Sequence, residues 1–445
     1  MENLPNIDLE SLLGLRLRRF FGPEELEDLV KDCDVDSWEA HLKSALRNLP
    51  QGLGNSGMAL ELLDMWINEL RRECARLYLE DADEDFSAAI DNIGKHNRIA
   101  LRHLAEGSEK AAKALWQVIL AYLLDPLLDY MEHKGCRSQV EELRRNERIR
   151  RPRKLGHDAP IMDLFNKTIS LLLECKPDPI ELLRHYTVVP FRRPTLFLTF
   201  FVEDEALRDE LAKALLKAAQ IASTKGISIK DMSMIDVRNL LSQLSETVIE
   251  EVKEEREGTG LALLDRVTDA IETLYNDLNN LLGRLRSKKC INVNVADVDN
   301  AKRLVSVTLD AIDSVKKARG VVASELVGYL QAAIDKIIKD PLVKKAVKEA
   351  YSSPEIEELI IKTAEIALEL FDLLYVTLAV AALHGLLNPC YMPSRYLDTK
   401  DSIPPGVFDE ETLKELYSLA RRLVDHIKGL HLIPREGRGE RWLRH

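Results

Sequence analysis

Glycine and proline, which interrupt helices, are scarce in this chain: its 445 residues include only 20 glycines and 17 prolines. The long segments between them are rich in Leu, Ala, Glu, Lys and Arg, which have high helix propensity. A content of 46% apolar and 31% charged residues excludes a disordered tail or a collagen-like chain. The composition therefore predicts an all-α protein that folds into multi-helix bundles.

Cysteine is also scarce, and its residues are widely spaced. The six cysteines are Cys33, Cys74, Cys136, Cys175, Cys290 and Cys390. No pair has the C-x-x-C spacing of zinc and redox sites, which excludes a zinc ribbon. We expect buried free thiols, although a thermophilic source would also allow one or two intracellular disulfides.

Glutamine occurs only six times in the whole chain. Few glutamines together with many Glu, Lys and Arg residues are typical of proteins from thermophiles. We therefore predict a source that lives at high temperature.

A basic leader and an uninterrupted apolar run, the marks of secretion and of membrane insertion, are both missing. The N-terminal sequence MENLPNIDLESLLG carries acids instead, so we expect no secretion signal and a cytoplasmic protein. The most apolar run, 366–387, contains Glu369 and Asp372, and each charge at the centre of a bilayer would cost about 2.5–3.5 kcal/mol. We interpret this run as a buried core helix and expect no membrane contact.

The chain also lacks the short motifs that mark common catalytic and cofactor sites. It has no Walker A loop, no G-x-G-x-x-G after a strand, no H-E-x-x-H, no G-x-S-x-G and no pair of E-x-x-H motifs. We therefore expect no cofactor and no metal site.

Length and changes of local composition predict three regions, because a single core stops growing well below 445 residues. They are an N-terminal helical bundle over 1–155 that ends in a basic helix, a connecting helical region over 156–230 and a C-terminal helical bundle over 231–445. Strand is plausible only near 187–201 (TVVPFRRPTLFLTFF), where Pro190 and Pro194 restrict it to a short or edge strand.

Helix boundaries follow from polar starts and from Gly and Pro stops. In the N-terminal bundle we predict helices over 58–80, 85–106 and 108–133. In the C-terminal bundle Gly320 separates two predicted helices, 299–319 and 321–339, and Pro354 begins a third that reaches residue 387. Four prolines between 388 and 406 predict an irregular connection before a last helix over 410–430.

Two segments of the C-terminal bundle carry apolar residues at heptad spacing. The first comprises Met234, Val237, Leu241, Leu244 and Val248, and the second comprises Leu264, Val267, Ile271, Leu274, Leu278, Leu281 and Leu285. A sustained a/d spacing keeps one narrow stripe facing a partner helix. Because the tight turn 258–260 lies between them, we predict that the two segments pair as a long antiparallel helical hairpin.

The clearest local charge feature is an arginine-rich stretch in a chain whose net charge is −12. Clustered arginines neutralise phosphates, and neighbouring aromatic rings stack on bases, so we predict a surface that contacts RNA or DNA. This basic surface comprises Arg144, Arg145, Arg148, Arg150, Arg151, Arg153, Lys154, Arg192 and Arg193. The alternative is pairing with acids of a neighbouring bundle, because Asp and Glu outnumber Lys and Arg by 74 to 62.

One pair of residues on the last helix has the spacing of a catalytic pair. Arg421 and His426 form an Arg-x4-His motif, which resembles that of the small helical ribonucleases of the HEPN class. The resemblance implies that the histidine and the arginine act on the ribose hydroxyl and the phosphate. Arg422 departs from the class, which has a small polar residue there, and Arg98 and His103 repeat the spacing. Capping groups near a helix C-terminus are the alternative interpretation.

These features favour a non-enzymatic helical scaffold or adaptor that contacts nucleic acid and binds protein partners. Two alternatives stay open: a metal-independent HEPN-like ribonuclease, and a subunit that interacts with proteins alone. The sequence defines neither the oligomeric state nor the identity of a partner.

Overall fold

The structure is a computed structural model that describes residues 56–120, 160–177, 260–337, 354–396 and 406–430, with a few positions elsewhere. Seven helices have their bounds within these residues, and no described residue lies in a strand. They are α1 (Ser56–Asn92), α2 (Asn97–Val118), α3 (Pro160–Cys175), α4 (Gly260–Leu285), α5 (Val295–Ile337), α6 (Pro354–Arg395) and α7 (Glu410–Lys428). The prediction of an all-α, multi-helix protein is confirmed.

The first two helices are joined by a tight turn at residues 93–96. Gly94 has a φ of +80°, a conformation that favours glycine, and its N–H donates to Asn97 Oδ1 at 2.8 Å. Helix α1 runs through residues 81–84 and α2 runs through Gly107, so the breaks predicted at these two places are wrong. Residues 81–84 include no glycine or proline that would end a helix. Gly107 lies within α2, at a position where a side chain would collide with the ring of Phe86.

The two longest helices in the second half also continue past predicted stops. Helix α5 runs through Gly320, because a single glycine in a helix interior costs only about 1 kcal/mol relative to alanine, which is not enough to end a long helix. Helix α6 runs through Pro389 and Pro393 to Arg395, so the connection predicted from 388 begins later than expected. The predicted helix over 410–430 agrees with α7 to within two residues.

Arg98, near the start of α2, stabilises the proline-containing end of α6. Its guanidinium donates to the carbonyl oxygens of Ser394 at 3.3 Å and of Pro393 at 2.5 Å, and also to that of Tyr396. These carbonyls lie in and after the last turn of a helix, where no intrahelical N–H reaches them. The contact also fixes the direction of packing: the start of α2 lies against the end of α6, so the two helices are antiparallel.

The described helices share one apolar core. Helix α1 packs along α2, α2 along α6, and α5 against both α4 and α6, while α7 lies on α1 and α2. Fully buried aromatic side chains mark its centre: Phe86, Trp116, Phe165, Tyr275 and Tyr375. Parts of the predicted N-terminal and C-terminal bundles therefore contact each other. The predicted boundaries at 155 and 230 lie outside the described residues and stay predictions.

The short strand predicted near 187–201 lies outside the described residues and stays a prediction. The first arm of the heptad hairpin, 234–248, also lies outside them, so the hairpin stays a prediction. The second arm is helix α4, whose Leu274, Leu278, Leu281 and Leu285 are buried, and which packs mainly against α5.

The six cysteines form three disulfides: Cys33–Cys74, Cys136–Cys175 and Cys290–Cys390. The expectation of free thiols is therefore wrong. The paired residues are 41, 39 and 100 positions apart, and only tertiary packing brings them together. The third bond joins the short 3-10 turn Cys290–Asn292, between α4 and α5, to α6.

One described segment, Asp372–Arg395, is long and apolar enough to cross a bilayer by length and composition alone. In the structure 83% of its apolar window is buried against other helices. Glu369 and Asp372, the two acids noted in the sequence, are also buried. This burial agrees with the interpretation of the run as a core helix; the expectation of no membrane contact stays a prediction.

Candidate functional site

The predicted basic surface lies outside the described residues. All nine of its members, Arg144 to Lys154 with Arg192 and Arg193, fall in segments whose structure is not described. Contact with nucleic acid therefore stays a prediction from sequence.

Arg421 and His426 lie on α7 in different surroundings. The Arg421 guanidinium forms ion pairs with Asp83 of α1, at 2.7 Å, and with Asp425, at 3.3 Å. Lys428 contacts the second oxygen of the same Asp83 carboxylate. The side chain of His426 is buried with the apolar face of α7. The geometry thus assigns Arg421 a part in docking α7 on α1, and the catalytic role of the pair stays a prediction.

A group of metal-binding side chain types lies between α1 and α2. Asp85 of α1 meets His103 and Glu106 of α2, and one atom from each lies within 4.8 Å of the others. The His103 Nδ1 atom is 3.2 Å from Asp85 Oδ1 and 3.5 Å from Glu106 Oε2. We call these three residues the carboxylate–histidine cluster.

The second oxygen of each carboxylate in the cluster faces a cation. Lys110 Nζ is 2.9 Å from Asp85 Oδ2, and Arg102 Nε is 3.1 Å from Glu106 Oε1. Burial would lower the pKa of Lys110, but the hydrogen bond to Asp85 and the charges of Asp85, Asp81 and Glu106 raise it. Lys110 therefore stays charged and holds the Asp85 carboxylate in place.

The cluster is sheltered but reachable from solvent. The exposed fractions of the side chains are 12% for Asp85, 22% for His103 and 18% for Glu106. At this depth charge interactions are stronger than at the surface, and a small ion or a water molecule still has access.

Three features of the sequence place the cluster. The turn at 93–96 folds α2 back along α1, which brings Asp85 opposite His103, and a spacing of three residues places Glu106 on the same face as His103. Gly107, beside Glu106, lets the two helices approach closely, because a Cβ atom there would lie 2.5 Å from the Phe86 ring.

A buried histidine of α6 faces α2. His384 is enclosed, and burial lowers its pKa to about 4, while the nearby charges of Glu109 and Lys113 act in opposite directions. Its Nδ1 atom has no hydrogen-bond partner within the described part of the chain. His384 is therefore a neutral core residue at neutral pH.

Sequence reasoning missed the cluster because its residues belong to no local motif. His103 and Glu106 are three apart, but Asp85 is 18 residues from His103 on another helix. The Arg98–His103 repeat of the Arg-x4-His spacing was the one signal that fell on a cluster residue, and it pointed to different chemistry. Recognising the cluster requires the turn at 93–96 and the pairing of α1 with α2.

Comparison of the chain with protein-family models, with curated proteins and with solved structures finds no match.

Proposed function

We propose that this protein is a non-enzymatic helical scaffold or adaptor that binds protein partners and contacts nucleic acid through its basic surface. The proposal rests on a difference in the number of acids that accompany the basic residues. On the described helices many basic side chains lie beside an acid, as Arg102, Lys302 and Arg421 do. Residues 144–154 instead hold seven basic side chains and one acid, Glu147.

Ion pairs between the described helices indicate that many of their charged side chains serve to hold the helices together. Lys302 of α5 contacts Glu415 of α7, and Arg303 of α5 is 2.8 Å from Asp277 of α4. The hydrogen bond to Glu415 raises the pKa of Lys302, so this contact between helices stays charged at neutral pH. Such pairs orient helices. In the arginine-rich stretch, by contrast, the seven basic residues outnumber the acids in and beside it, which are Glu141, Glu142 and Glu147.

The same proposal includes a cytoplasmic location in a heat-adapted source. Intracellular proteins of hyperthermophiles carry disulfides that are otherwise rare in the cytosol. Low glutamine and abundant Glu, Lys and Arg support the same origin.

Charge reversal tests the proposal in the full chain. We expect Arg148, Arg151 and Arg153 changed together to Glu to abolish retention of labelled single-stranded RNA and duplex DNA at low salt. The wild-type affinity falls as salt rises, because phosphate contacts release counterions. The measurement is the binding constant of each probe at several salt concentrations.

The matched control variant reverses the charge of three exposed basic residues on the described helices. Arg303, Lys414 and Arg422 changed to Glu alter net charge by the same amount, and each has an acid beside it. The control is expected to bind like the wild type. Equal loss in both variants, or no loss in the first, contradicts the proposal. RNA cut by the wild type but spared by His426→Ala would favour the ribonuclease alternative.

A further inference from the structure

The spacing within the carboxylate–histidine cluster matches that of metal ligands. A tetrahedral ion with bonds of about 2.0–2.2 Å to nitrogen and oxygen separates its ligand atoms by about 3.3–3.6 Å. His103 Nδ1 lies 3.2 Å from Asp85 Oδ1 and 3.5 Å from Glu106 Oε2. The third pair of ligand atoms is within 4.8 Å, so closing the set requires a movement of about 1 Å at the ends of two carboxylate side chains.

A cation holds each of the two carboxylates of the cluster in place. Lys110 holds Asp85 by Oδ2 and Arg102 holds Glu106 by Oε1, so the oxygens that remain, Oδ1 and Oε2, both face His103 Nδ1. Metal-ligating carboxylates are commonly held in this way by groups that contact their second oxygen.

The types of ligand define the class of ion. An imidazole nitrogen suits zinc and other divalent transition metals, whereas Mg²⁺ and Ca²⁺ prefer oxygen alone. Every cysteine of the chain is in a disulfide, so no thiolate competes for the ion. Three protein ligands leave a fourth tetrahedral position for water, and the partial exposure of the cluster lets water reach it.

We propose that Asp85, His103 and Glu106 bind one divalent transition metal ion, of which Zn²⁺ fits best. The ion bridges α1 and α2 about two turns from their connecting loop, and so ties the two helices together. The competing occupant is a proton, since a protonated His103 would make the same two contacts to the carboxylates.

Titration of the full-length protein with Co²⁺, followed by competition with Zn²⁺, distinguishes the ion from the proton. Tetrahedral Co²⁺ absorbs strongly in the visible range, and we expect one such ion per chain, displaced by Zn²⁺. Saturating Zn²⁺ is expected to raise the melting temperature, because the ion binds the folded state.

Variants locate the site. His103→Gln is expected to weaken Zn²⁺ binding at least about 100-fold, and Arg102→Gln about tenfold, because removal of an outer contact costs 10- to 100-fold in affinity. His96→Gln, at an exposed histidine just before α2, is expected to leave the affinity unchanged. Circular dichroism checks that each variant folds, and Arg102→Gln with the wild-type titration tests the proposal even if His103→Gln does not fold. Absence of a tetrahedral Co²⁺ spectrum in the wild type, or equal affinity in His103→Gln and His96→Gln, would overturn the proposal.

Discussion

His384 is the residue whose surroundings most directly set a dependence of stability on pH. Its ring is buried on α6 opposite α2, and burial lowers its pKa from 6.5 to about 4. Glu109 and Lys113 face it from α2 and pair with each other at 2.7 Å, and their charges shift the pKa of the ring in opposite directions, each by less than burial does. Desolvation therefore keeps this histidine neutral in the folded state.

We expect His384 to make the folded protein less stable as the pH falls. Above pH 6.5 the ring is neutral in both states, so the stability is complete. Between pH 6.5 and about 4 the unfolded chain binds a proton that the folded protein does not, and on the order of 3 kcal/mol is lost across this window. The measurement is the free energy of unfolding from urea titrations between pH 4.5 and 7.5.

His384→Leu is the comparison, because leucine is apolar and of similar size. The variant is expected to lose less stability than the wild type between pH 6.5 and 4.5. Parallel curves for the two proteins would contradict a buried, neutral His384.

Helices α1 and α2 approach each other closely at one glycine. The Phe86 ring occupies the space where Gly107 would carry a side chain, and Phe86 is fully buried, so the ring has little room to move. Gly283 of α4 is the opposite case: it is helical and exposed, and nothing lies within 4 Å of its potential Cβ atom.

Alanine at these two glycines is expected to have opposite effects. Gly107→Ala separates α1 from α2 and lowers the free energy of unfolding by about 1–3 kcal/mol, the usual cost of overpacking. Gly283→Ala raises it by about 0.5–1 kcal/mol, because alanine restricts the unfolded chain and favours helix. Denaturant titration of both variants checks the pair; stabilisation by Gly107→Ala would contradict the close approach of the helices.

Among the single elements, the sequence predicted a helix boundary best where a polar capping residue directly precedes a run of helix-forming residues. Helix α7 begins at Glu410, as predicted, directly after Asp409, whose side chain caps the helix by accepting from the Thr412 N–H at 2.8 Å. The rules that glycine and proline end helices gave errors: Gly320 does not end α5, and Pro389 does not end α6. Arg98, which bonds the end of α6, lies almost 300 residues away in sequence, so no local pattern could show its effect.

At the scale of the whole molecule, helical periodicity was enough to predict the class of fold, but it could not predict which helices meet. The contact of α2 with α6, the cluster between α1 and α2, and all three cysteine pairs depend on that arrangement. A cysteine spacing of 39 to 100 residues is compatible with several pairings. The functional prediction from the basic surface rests on local composition and is therefore independent of this arrangement.

The disulfides connect distant parts of the chain. Closing a loop of 100 residues, as Cys290–Cys390 does, restricts the unfolded state by about 4.7 kcal/mol in the chain-entropy treatment. Cys33–Cys74 and Cys136–Cys175 close shorter loops, and together the three bonds cover much of the chain. We infer that these bonds and the shared core hold the described helices together as one body.

Peptide mapping by mass spectrometry tests this inference, with the protein purified in air and digested without reductant. We expect no free thiol in the denatured protein and three linked peptide pairs, which join Cys33 to Cys74, Cys136 to Cys175 and Cys290 to Cys390. Each pair is expected to separate after reduction. Alkylated free cysteines, or cysteines linked in any other combination, would contradict the packing of helices described above.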